Sequence, residues 1–393
     1  MKYNFDEFVD RRGTYCVKYD AMASVIGRDV AEDVIPMWVA DMDFKSPQCI
    51  VDALKKRLEH EVFGYTIKPD LFFESIVEWV KKRHQWDIQK DWISFCPGVV
   101  SGLTIAIEQF TKPGDKVIVQ PPVYFPFFSS VENIGRKIVY NQLKIEDGKY
   151  KFNIEDLKNK IDADTKILIL SNPHNPVGRV WTRDELLEIS NICNENNVLV
   201  ISDEIHADVV YAPAKHIPYA SISKEAAQNS ITVMSHSKTF NVAGLSTSFV
   251  ITENKELLNQ YNKISATYHL NLGNLFGTEA LIAAYKEGEE WVDELLQYLK
   301  GNIDYVTTFI EQNIPNLKVV VPEATFLMWI DCSSLGMNSK ELNDFFLNKV
   351  KVAVNEGSIF GLGGEGFIRL NIGCPRNTVV KALNQLKQAI ECI

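Results

Sequence analysis

Several short stretches hold chemically useful residue types at points where a strand would end and deliver them. Ser235-His236-Ser237-Lys238 closes the apolar run Ser230–Ser235. A lysine amine in a desolvated or cationic setting has a lowered pKa and can form a Schiff base with an aldehyde cofactor, while hydroxyls such as Ser235 and Ser237 can hold a phosphate. The plain alternative is a solvated surface lysine. Val198–His206 plants Asp203 at the end of another apolar run. That carboxylate can keep a ring nitrogen protonated and so turn the ring into an electron sink, or it can simply cap a helix. Ser171–Gly178 contains two Asn-Pro steps that stiffen a turn. Asn175 there can donate to a phenolate oxygen, or the segment is only a turn.

Four further signals are weaker alone. Cys96-Pro-Gly98-Val99-Val100-Ser-Gly102 precedes the amphipathic stretch Leu103–Phe110, so free N–H groups at a helix start can bind a phosphate, unless this is an ordinary glycine turn. Tyr124, after Gln120-Pro-Pro-Val, offers a ring to stack on a planar cofactor, or is core or rim. Arg369 lies inside the apolar run Phe367–Asn371, where its planar fork suits a substrate carboxylate or a structural ion pair. Gly64-Tyr65-Thr66 is a further candidate motif.

The elements that must position these residues follow from hydropathy. Lys116–Gln120, Lys166–Leu170, Val198–Ser202 and Ser230–Ser235 read as buried strands, and Trp181–Glu195 as a helix capped by Thr182. Alternation of such runs with amphipathic stretches predicts an α/β unit with a mostly parallel sheet, and ligands then collect at the carboxyl ends of its strands. Beyond about residue 280 the pattern changes to a long helix (Glu289–Gln312), strands at Leu317–Val321, Thr325–Ile330 and Phe367–Asn371, and a helix near Ser339–Lys349. This predicts a smaller α+β unit joined along a continuous helix.

Composition excludes several classes. The 393 residues are 46% hydrophobic and 23% charged, which is globular rather than disordered. Fifty-one acids against 41 lysines and arginines give a net charge of −10 with no basic block, which disfavours nucleic acid. No stretch of about 18 apolar residues suggests a membrane span, and Met1–Asp10 does not resemble an export signal. The seven cysteines are scattered and form no C-x-x-C pair, which argues against a disulfide framework or a zinc site and for a cytoplasmic protein. Gly361–Gly366 spells G-x-G-x-x-G but precedes a strand, so it reads as a flexible loop. Ser235-x-x-Lys238 matches the spelling of penicillin-binding serine enzymes without their K-T-G.

Taken together, the motifs resemble fold type I pyridoxal-phosphate enzymes, the aspartate aminotransferase superfamily, over nearly the whole chain. Met37–Phe44, Asn172–Trp181, Ser202–Asp208, Ser237–Asn241 and Arg369–Arg376 resemble its cystathionine β-lyase branch. The resemblance implies a large domain (residues 49–281) with a mostly parallel seven-stranded sheet that binds pyridoxal 5′-phosphate. A small domain (1–48 with 282–393) completes the fold. It implies Lys238 as the Schiff-base lysine, Asp203 as the pyridinium partner and Asn175 with His206 near the ring. Tyr124 would stack on the ring, and Val99, Val100, Ser235 and Ser237 would hold the phosphate. Arg369, with Ala40, Tyr124 and Asn175, would take the substrate, and Tyr65 would reach the phosphate of a second subunit in a homodimer. Two positions depart from the wider superfamily pattern, His206 for a tyrosine and Ser246 for an arginine. The implied reaction is cleavage of cystathionine or related cysteine S-conjugates to a thiol, pyruvate and ammonia. The alternatives are an aminotransferase and a catalytically silent regulator on the same fold.

Overall fold

In the computed structural model, which describes residues 2–393, the apolar runs assemble a seven-stranded sheet. Its strands are β1 (Ile93–Cys96), β2 (Lys116–Val119), β3 (Lys137–Tyr140), β4 (Thr165–Ser171), β5 (Leu199–Asp203), β6 (Ser230–Met234) and β7 (Ser248–Ile251). The spatial order is β1-β7-β6-β5-β4-β2-β3, and only β7 runs against the rest. β5 and β6 are buried at every residue, as strands covered on both faces must be.

Helices close both faces. The loop after β1 turns at Gly98 into α2 (Val99–Phe110), while α1 (Asp70–His84) precedes it in the chain. At Gly102 a Cβ would stand 2.7 Å from Cys96 Sγ, so only glycine lets α2 lie this close to β1. α3 (Arg183–Glu195) starts with a full capping box between Thr182 and Glu185, which satisfies two otherwise unpaired backbone donors.

α4 (Leu275–Glu287) and α5 (Glu289–Asn313) meet at Gly288, where a Cβ would lie 2.5 Å from Ala284 O. The long helix read from Glu289 is α5, and residues 281 and 282 both lie within α4. The smaller sheet is β8 (Lys318–Val320), β9 (Leu327–Asp331), β10 (Asn355–Glu356) and β11 (Phe367–Asn371), ordered β8-β9-β11-β10, and α6 (Arg376–Ile390) packs beside it. The stretch expected to be one helix near Ser339–Lys349 is α-helical only to Phe345. A wider π-turn over Phe346–Val350 then buries Phe346, Leu347 and Val350 together. One core joins Trp79 of α1, Phe249 of β7, Leu299 and Ile303 of α5, and Leu327 of β9.

Candidate active site

The carboxyl ends of β1, β2, β4, β5 and β6 converge on a cavity of about 270 Å³. Its wall includes Ala40, Val99, Val100, Tyr124, Asn175, Asp203, His206, Ser237 and Lys238. Each of these positions was expected from the sequence to meet one ligand, and they do share one space.

The loop after β6 brings Lys238 inward, where its Nζ donates to Ala40 O at 2.7 Å. Burial lowers this ammonium to about 8, against the opposing pull of Asp41. A neutral amine is thus available more than two pH units sooner than on a surface lysine. Asp203, at the tip of β5, accepts the Ile205 N–H (3.1 Å), and no side chain among the described residues donates to it. Burial raises its carboxyl to about 7. A buried carboxyl in this state needs a cationic partner to ionise fully. His206 is held neutral, its pKa lowered to about 3 by burial with Lys238 and Arg369 adding to the effect, and its Nδ1 has no partner among the described residues.

Arg369 stands behind the wall rather than on it. Its guanidinium donates to Asn175 Oδ1 (3.1 Å), Trp38 O (3.0 Å) and Asn355 Oδ1 (2.6 Å), while its Nε is unpartnered among the described residues. Neither Asn nor carbonyl carries charge, so the structural ion-pair alternative finds no partner here. Burial lowers its pKa to about 10. Asn175 spends its oxygen on Arg369, which leaves its NH2 group for a ligand.

α2 begins with no side-chain cap at Gly98, so its first N–H groups are unspent and point their dipole at the cavity. Hydroxyls surround that point. Ser101, Ser246 and Ser248 join Ser237 on the wall, as does Thr247, whose own hydroxyl donates to Leu245 O (3.0 Å). Of these the sequence reading weighed only Ser237 as a ligand, and noted Ser246 as a missing arginine. Ser101, three residues past Gly98 in the same first turn, was the available signal for the rest.

One expectation comes out differently. Ser235 is not on the wall, because its Oγ donates to Thr247 O (2.8 Å) and accepts the Ser237 N–H (3.1 Å). Its hydroxyl braces the loop instead of facing a ligand. Tyr65 is fully exposed and lies outside its own chain's cavity.

The motif Met37–Phe44 gains a physical explanation. Asn241 accepts the Met42 N–H and donates to Met42 O and Phe44 O, at 2.8 to 2.9 Å. Asn371 donates to Asp41 O (2.6 Å). Asparagines from the lysine loop and from β11 thus pin the loop that presents Ala40 O to Lys238.

The donor set suits pyridoxal phosphate. It offers an unspent helix start with hydroxyls for the phosphate, an unpaired carboxyl for the ring nitrogen, a tyrosine ring, and an amine with lowered pKa.

A profile of the family described as aminotransferase class I and II matches residues 32–386. The chain belongs to this family. It is 42% identical to cystathionine beta-lyase PatB of Bacillus subtilis, over 98% of this chain and all of that protein. Protein MalY of Escherichia coli is 32% identical over the full length of both. The crystal structure of cystalysin from Treponema denticola, which contains a pyridoxal 5′-phosphate cofactor, superposes with a TM-score of 0.95 at 38% identity, covering all of both chains. Lys238 is the only cation on the cavity wall among the described residues, so hydroxyls and amides must carry the anion.

Proposed function

We propose that this protein is a pyridoxal-phosphate-dependent carbon–sulfur β-lyase acting on cystathionine or related cysteine S-conjugates, with a thiol, pyruvate and ammonia as products. The observation that carries this reading is the placement of Lys238, Asp203 and Asn175 around one cavity with Arg369 directly behind. Full-length similarity to cystathionine beta-lyase PatB supports the choice of reaction. Measuring the products formed from L-cystathionine tests it.

When bound, pyridoxal phosphate supplies an electron-accepting ring that stabilises negative charge at the substrate's α carbon. Lys238 would hold it covalently through Nζ, and the same amine is placed to act as the base for a substrate's α proton. Ala40 O holds that amine in place. Asp203 would pair with the ring nitrogen and keep it protonated, Asn175 would donate to the phenolate oxygen, and Tyr124 would cover the ring, with neutral His206 nearby. The N–H groups of Val99 and Val100, with Ser237, would hold the phosphate. Ser246 stands where an arginine is common, and the missing charge favours the lyase over the aminotransferase.

In this reading residues 49–281 bind the cofactor, while 1–48 with 282–393 contribute Ala40 and Arg369 and orient the substrate. Replacing Arg369 by alanine should raise KM for amino-acid substrates by roughly ten- to a hundredfold, the loss of a charge-assisted contact of about 1.5–3 kcal/mol. Steady-state kinetics reads this directly, and an unchanged KM would remove Arg369 from the substrate.

The protein acts as a homodimer in the cytoplasm, and Tyr65 completes the neighbouring subunit's phosphate site. Full exposure of Tyr65 in the single chain, beside the exposed Phe63 and Ile67, supports this. The seven cysteines are free, and no helix among the described residues is long and apolar enough to cross a membrane. Mixing Tyr65→Ala and Lys238→Ala chains should restore part of the activity that each lacks, since one hybrid site is intact. No recovery after demonstrated subunit exchange would place Tyr65 elsewhere.

A further inference from the structure

The run Asp203-Glu204-Ile-His206-Ala-Asp208 carries three acids, and only the first faces the cavity. Asp208 points the other way, into a buried cluster at the wall of a second cavity that His84 also lines. Trp79 Nε1 of α1 donates to both of its oxygens (3.1 and 3.2 Å), His84 Nε2 lies 3.0 Å from Oδ1, and Thr239 Oγ1 donates to Oδ2 at 2.8 Å. Burial opposes the charge on Asp208, and the close approach of His84 with the bond from Thr239 outweighs that, so the carboxyl stays below its usual range and acts as an acceptor. Thr239 is therefore a donor with one fixed target.

Thr239 directly follows Lys238 in a loop that has neither helix nor strand from Ser235 to Val242. Three side chains anchor that loop. Ser235 holds its start to Thr247 and Asn241 holds its end to the Met37–Phe44 loop. Thr239 holds the middle, next to the lysine. It is fully buried and not on the cavity wall, so it contacts neither substrate nor cofactor from where it stands.

We infer that Asp208, acting through the Thr239 hydroxyl, is a positioning residue that sets where Lys238 places its amine. The inference rests on the reading of Lys238 as the catalytic lysine. A merely structural brace would change the melting temperature alone. A positioning role changes the chemistry of the lysine while leaving substrate binding largely intact.

The test compares the holoenzyme with Thr239→Val, which removes only the hydroxyl, and Thr239→Ser, which retains it. Thr239→Val should lower kcat at least about tenfold with KM within about threefold. It should also move the midpoint of the pH titration of the bound cofactor's visible absorbance by roughly half a unit or more. Thr239→Ser should restore both to near the parent. If Thr239→Val keeps the parent kcat and midpoint, the inference is overturned, whatever happens to its melting temperature. Should Thr239→Val fail to fold, Asp208→Ala, which removes the acceptor, is read the same way, and parent values there overturn the inference equally. Turnover by Lys238→Ala would instead remove the site reading itself, so the two failures are distinguishable.

Discussion

Lys238→Ala should lose turnover by roughly 10³-fold or more, because one amine serves as both covalent link and base. The reason is positional. Lys238 is the only lysine on the cavity wall among the described residues, and its Nζ is already held by Ala40 O with a pKa lowered to about 8 by burial. No neighbouring amine can replace it. The fold should persist, since the loop keeps its anchors at Ser235, Thr239 and Asn241. Borohydride treatment followed by mass measurement checks the claim. The parent should retain cofactor covalently and the variant should not, while a reducible link in the variant would assign the role to another lysine.

Asp203→Asn should lower kcat by about a hundredfold or more while KM changes little, because a neutral amide cannot keep a ring nitrogen protonated. The same substitution should have the opposite effect on the stability of the cofactor-free protein. Burial raises the Asp203 carboxyl from 3.8 to about 7. Between those values the folded chain holds a proton that the unfolded chain has released, so this residue's contribution to stability falls as pH rises and is fully lost above about 7. The deficit amounts to at most about 4 kcal/mol, and asparagine removes it. Urea unfolding of the cofactor-free proteins should therefore show a variant advantage that grows from pH 4 to 7 and then levels off. Parallel stability curves would mean that Asp203 has a partner that offsets its burial. The expected trade is strain in the empty site against chemistry in the filled one.

Much of this site was legible because chemistry-bearing residues sit at strand ends, where hydropathy alone marks the boundaries. The runs ending near Leu170, Ser202 and Ser235 became β4, β5 and β6 within a residue or so, and Asn175, Asp203 and Lys238 followed at once. Arg369 was legible for the opposite reason, as a charge that does not belong in an apolar strand. The misses are of two kinds. Thr247 and Ser248 are ordinary residues that come near the start of α2 only because β7 pairs with β1, a long-range fact that no local pattern contains. Ser235 had the right type in the right place, but a hydroxyl has one hydrogen to donate, and Thr247 O takes it. The long helix was legible from its start at Glu289, and the crowding by Ala284 O and Phe240 shows why glycine stands just before it. In Asp203–Asp208 the acids look alike in sequence. Strand direction and the packing of α1 decide which one meets the cavity and which one meets Trp79 and Thr239.

The lyase and aminotransferase readings share the cofactor, Lys238 and the first proton transfer, and part only in what happens next. Product analysis with L-cystathionine in the absence of any keto acid separates them. A β-lyase should release homocysteine, pyruvate and ammonia in equal amounts over many turnovers. Turnover that stops after one equivalent per site, with the amine form of the cofactor accumulating, and that resumes only on addition of a keto acid, would contradict the account and make this chain an aminotransferase.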